Sequence, residues 1–229
     1  MSSPDAESDI YQAAELASAL QASLPRQVHA APLGFPSKAP FKLLSLRETL
    51  LWRVADMAGA AVSLCQTDRA VPAAVLARAA LETTAVLYGL GVMVARVVET
   101  HRVDEFDARA MRMLFGSRNR QTPTEAINIL THIDQMDRNF SGLRSWYDDM
   151  SEIAHPNYAG VMASYGKVDR DRYIVELGPR DWPKGMVGPA LCACLEIARR
   201  TRDSIDRRFE EFSRLCHDLD VENEQDEGA

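Results

Sequence analysis

The chain has 229 residues, 46% hydrophobic and 26% charged, with a formal net charge of −7. That length can bury one good-sized core, and that balance is ordinary for a globular protein. The longest uncharged apolar run, Thr83 to Ala95, falls short of the roughly 20 residues a bilayer crossing needs, so no membrane span is expected.

"MSSPDAESDIYQ" has acids where a signal peptide's cationic region would stand, and the reading is cytoplasmic. Cys65, Cys192, Cys194 and Cys216 lack metal-ligand spacing and read as buried free thiols. No cofactor or metal is expected. Six of the 33 acids lie in "DLDVENEQDEGA" (218–229), leaving a near-neutral body and a tail expected to be disordered.

Residues 6–22 space Ile10, Ala14, Leu16 and Leu20 for one apolar side, with Leu24 just beyond, and predict a short helix. "LPRQVHAAPLGFPSKAPF" follows with four prolines, so residues 1–40 read as a short helix plus a Pro-rich arm. The main domain, 41–217, then opens with a helix over 43–65 whose apolar residues recur every three or four positions. Residues 72–98 form the most apolar helix, apolar on nearly all sides as a bundle centre must be. A shorter helix covers 103–115.

In "TPTEAINILTHIDQM", Thr122 is the expected N-cap, Pro123 the first helical residue and Glu125 the capping-box partner. A further helix runs from Gly142 to His155, where Pro156 stops it and "PNYAG" is a compact turn folding back over its end. Alternation over 161–177, with a polar turn at Asp169–Asp171, predicts a small β-hairpin. The last helix spans 188–217. The fold class is all-α: an up-and-down bundle of about five to six helices with a hairpin insert.

On the 142–155 helix, Leu143, Trp146, Tyr147, Met150, Ile153 and Ala154 face the core, while Arg144, Asp148, Ser151 and His155 share the other side. Ser151 and His155 are one turn apart and within reach of a hydrogen bond. Arg144 and Asp148 are spaced for an ion pair. On the central helix Arg78, Glu82, Gly89 and Arg96 make one narrow polar stripe. Arg78 and Glu82 either fix helix packing or meet the His155 end of the other helix in a composite site. Such a site pairs an imidazole, able to take a 2′-hydroxyl proton, with a guanidinium that steadies a charged phosphoryl transition state. RNA cleavage without metal would need no more than this. His101 reads as a solvated corner. Arg109, Arg112, Arg118 and Arg120 concentrate positive charge, with Arg118 and Arg120 as candidate phosphate contacts, whereas "RRTRDSIDRR" reads as a self-neutralised surface.

Together, "LARAALET" on the central helix and "YDDMSEIAHPNYAG" closing a later one resemble the HEPN superfamily, in particular a bacterial branch with R-x-x-x-E and S-x-x-x-H-P motifs. The resemblance covers about residues 43–217 in helix order. It implies an all-α homodimer and either of two activities. One is a metal-independent endoribonuclease of a toxin, phage-defence or stress system, with RNA as substrate and a cognate antitoxin or defence partner. The other is a non-catalytic interaction or nucleotide/anion-binding module. In the first, His155 is the catalytic imidazole, assisted by Arg78, Glu82 and Ser151. Ribonuclease members carry an arginine four to six intervening residues before that histidine, where this chain has Met150, Asp149 and Asp148. Arg144 lies about 16 Å away along the helix axis, so Arg78 or an arginine from a second copy would substitute.

Overall fold

A computed structural model describes residues 4–29, 37–117, 119 and 121–227. It is an all-α bundle with one small antiparallel hairpin, as the periodicity predicts. The helices are α1 (Pro4–Ala22), α2 (Ala39–Gln66), α3 (Ala70–Thr100), α4 (Asp104–Phe115), α5 (Ile129–Asp137), α6 (Leu143–Ala154) and α7 (Lys184–Glu227). Between α6 and α7 lie a π-helical segment (Tyr158–Ala163) and strands β1 (Gly166–Asp169) and β2 (Ile174–Leu177).

α3 is the axis of the molecule, packed most extensively on α7 and α2, with α5, α6 and α4 on its remaining sides. Its first half is rich in fully buried alanines, Ala73, Ala74, Ala77 and Ala80, which let neighbouring helices approach closely. The helix extends well past the Thr83–Ala95 run. By length and composition it could cross a membrane, but 61% of its most apolar window is buried among the other helices.

The core has two clusters. The larger joins α1, α2, α3, α5, α6 and α7; the smaller brings Leu43, Leu90, Phe106 and Phe212 together where α4 closes the bundle. Phe106 and Phe212 meet edge to face with centroids 4.8 Å apart, the arrangement their ring quadrupoles favour.

Three features differ from the sequence reading. First, the boundary near Phe41 does not divide the packing. Ile10, Ala13, Ala17 and Leu20 of α1 are buried in the larger core, and Arg202 of α7 donates to Ser23 Oγ at 2.7 Å. Second, Thr122 caps no helix. Its hydroxyl donates to Phe115 O, and Ser117 bridges Glu125 in extended conformation, so α5 starts only at Ile129. There Asn128 Oδ1 accepts from Leu130 N at 3.1 Å, a side-chain cap that competes better because the Thr122 hydroxyl already serves the end of α4. Third, α7 begins four residues before 188 and its backbone continues helical through Glu227, where composition predicted disorder.

The hairpin pairs Gly166 with Leu177 and Asp169 with Ile174. Every β2 residue is exposed, and no third strand occurs among the described residues.

Candidate functional site

The amphipathic pattern of α6 positions the first group of candidates. Leu143, Tyr147, Met150 and Ile153 are buried, which turns the opposite face outward. Asp137 fixes the start of this helix, its Oδ1 accepting from Gly142 N at 2.9 Å and Arg144 N at 3.0 Å. Arg144 pairs with Asp148 at 3.0 Å and reaches back to Asp134 of α5; hydrogen bonds to Asp134 and then Asp148 raise its pKa. It is a tie between two helices.

Arg78 projects from α3 onto this framework. Its Nε donates to Ser151 Oγ at 2.9 Å, one terminal nitrogen donates to Tyr147 Oη at 3.2 Å, and that nitrogen also pairs with Glu82 at 3.0 Å. The guanidinium carbon lies 5.1 Å from the centroid of the Tyr147 ring. Arg78, Glu82 and Ser151 therefore come together as the two polar stripes suggest, with Tyr147 added. Sequence reasoning placed Tyr147 only in the core; its hydroxyl is the part that periodicity does not reveal.

His155 does not join them. It is the C-cap of α6, in extended backbone with its side chain exposed. Ser151 Oγ donates instead to Tyr147 O at 2.7 Å, so the hydrogen bond expected between Ser151 and His155 is not formed. The imidazole hydrogen-bonds to no described residue. It does not line the groove of about 820 Å³ that Arg78, Glu82, Tyr147 and Arg53 border. The "PNYAG" turn does fold back: Asn157 Oδ1 accepts from Gly160 N at 3.0 Å. A Cβ on Gly160 would stand 2.0 Å from His155 O, so only glycine fits there.

The rest of the α3 stripe leads to a second cavity, of about 410 Å³, between α3, α4 and α5. It shares Met113, Ile127 and Asn128 with the first groove. Gly89 forms part of its wall because His132 of α5 lies directly on it; a Cβ at 89 would be 2.3 Å from His132 Nδ1. That nitrogen is buried without a hydrogen-bond partner, and burial lowers the imidazole pKa, which favours the neutral ring. Arg96, Arg109 and Arg112 line the same space. Sequence reasoning missed His132. The signal is Gly89 and Arg96, which continue the polar stripe of α3 beyond the reach of α6.

Other candidates resolve simply. Arg118 and Arg120 lie outside the described residues. His101 is exposed and ends α3 in a left-handed conformation with φ 55°. Arg199 and Arg200 both bind Glu196, whose carboxyl they hold down at about 2. Burial pushes the Cys65 and Cys192 thiols up to about 11 and Cys194 to about 12. No group of three or more His, Cys, Asp or Glu placed to hold a metal ion occurs among the described residues. Comparison with family models, curated proteins and solved structures gives no match for this chain.

Proposed function

We propose that this chain is a HEPN-like helical protein that acts without catalysis, as a homodimeric module binding a nucleotide-like anion. The observation that carries this reading is the engagement of Arg78. Its donors meet a hydroxyl, a phenol and a carboxylate of the same chain, while the imidazole that would need it stands outside the group. General acid–base cleavage needs the imidazole within hydrogen-bond reach of the reacting proton and a cation free to meet the phosphate. A guanidinium held on three sides suits a clamp between helices better. The R-x-x-x-E helix lying against the S-x-x-x-H-P helix supports the HEPN likeness.

A second reading, a ribonuclease effector in the cytoplasm, draws support from the exposure of His155, which leaves its ring open to a substrate and to an arginine from a second copy. One experiment separates the two. Purified wild-type protein and His155→Ala are incubated with a panel of single-stranded and structured RNAs, and each is expressed in growing cells. The module reading expects intact RNA and equal growth. RNA cleavage by the wild type that His155→Ala abolishes would overturn it and establish the effector.

A further inference from the structure

We infer that the cavity between α3, α4 and α5 binds an organic phosphate of mononucleotide size, with Arg96, Arg109 and Arg112 around its phosphate and His132 beside its body. The inference rests on the anion-binding reading and gives it a place and a ligand class. Charge is the first argument. In a chain of net charge −7, this cavity is lined by three arginines and by no carboxylate. Arg109 is paired with Glu105 at 2.9 Å, but Arg96 and Arg112 have no acidic partner among the described residues, and both are exposed at the rim. Guanidinium groups present planar, forked donors that match phosphate oxygens.

The remaining lining argues for an organic body rather than free phosphate. Val92, Met93, Met113 and Ile127 give apolar walls, and methionine sulfur packs well on aromatic faces. Gln135 presents an amide with both donor and acceptor. Asn128 keeps its Nδ2 donor free, because only its Oδ1 caps α5. Amides of this kind match the edge of a nucleobase. His132 Nδ1 is a buried nitrogen in want of a partner, in a ring that Gly89 lets settle against α3. A volume of about 410 Å³ suits a small ligand. An adjoining pocket of about 100 Å³ shares Met93, Arg96 and Arg109 and adds Arg102 and Glu105, whose charges offset, so the positive charge stays with the three arginines of the larger cavity.

The test titrates AMP, GMP, CMP and UMP, with adenosine and inorganic phosphate for comparison, into the full-length protein by calorimetry at low salt. At least one monophosphate should bind one per chain, at least tenfold more tightly than either adenosine or inorganic phosphate. R96Q/R112Q, altered only at exposed side chains, should weaken it tenfold or more. The His132 imidazole resonance, assigned by its absence in His132→Asn, should shift on saturation. Equal binding of inorganic phosphate would overturn the organic class. Nucleotide binding unchanged in R96Q/R112Q would remove this site while leaving the anion-binding reading intact. No saturable binding by any of the phosphates would sink both.

Discussion

Arg78 and Ser151, 73 residues apart in sequence, meet at 2.9 Å and join the central helix to α6. The bond is partly shielded rather than fully buried, with the Arg78 side chain 28% exposed. A charged hydrogen bond of this kind contributes about 1–2 kcal/mol once solvent screening is allowed for. Arg78→Ala should cost about 2 kcal/mol and Ser151→Ala about 1 kcal/mol. Urea denaturation of the two single variants and the double variant should give a coupling energy near 1 kcal/mol; simple additivity would mean the contact holds nothing together.

Two glycines should respond in opposite directions. Gly160→Ala forces a methyl against the His155 and Ile153 carbonyls, backbone atoms that cannot swing aside, and should destabilise by about 1–3 kcal/mol. Gly59→Ala, inside α2 with nothing within 4 Å of the added carbon, should stabilise by about 0.5–1 kcal/mol. Thermal midpoints moving in the same direction for both would contradict these surroundings.

His132 predicts a pH dependence with a definite sign. Burial lowers its pKa in the folded protein below the ordinary value of 6.5, so between those two values the unfolded chain binds a proton that the folded chain does not. Stability therefore rises with pH through that window, is complete above about 6.5, and is lost as pH falls toward the folded value. Denaturation midpoints at pH 5.5 and 7.5 should differ more in the wild type than in His132→Asn. Equal differences would place the slope on other groups.

The thiols should be slow. With Cys65, Cys192 and Cys194 raised by burial to between about 11 and about 12, scarcely any thiolate exists at neutral pH. A disulfide-exchange reagent at pH 7.5 should leave these three unmodified for minutes in native protein and titrate all four cysteines in denaturant. Rapid native reaction, lost in Cys192→Ser, would show that the α1–α7 seam around Asp9 O opens readily.

Much of the helical framework is legible in the residues because each long helix has one reason to exist. α3 is apolar on nearly all sides and must be central; α6 carries a clean apolar face and ends where Pro156 forbids continuation. The start of α5 was not legible: Thr122–Glu125 spells a capping box, yet Asn128 supplies the cap. What decides between them is the need of Phe115 O for a donor, a tertiary fact. The same distinction holds at the site. Polar stripes on two helices left open a contact between Arg78 and the polar face of α6, because a stripe on an otherwise apolar helix needs a partner; the contact formed is to Ser151. A helical wheel fixes direction but not height along a neighbour, so it could not say that His155 would stand apart. His132 was hidden because its surroundings come from three helices at once.

The two-stranded hairpin, with Tyr173 95% and Leu177 83% exposed, has outer margins paired with no further strand among the described residues. Such margins are templates for runaway strand addition. Here each strand is four residues long, and Lys167, Asp169 and Glu176 interrupt it with charge, so an incoming chain finds too short and too hydrated a ledge to stack upon.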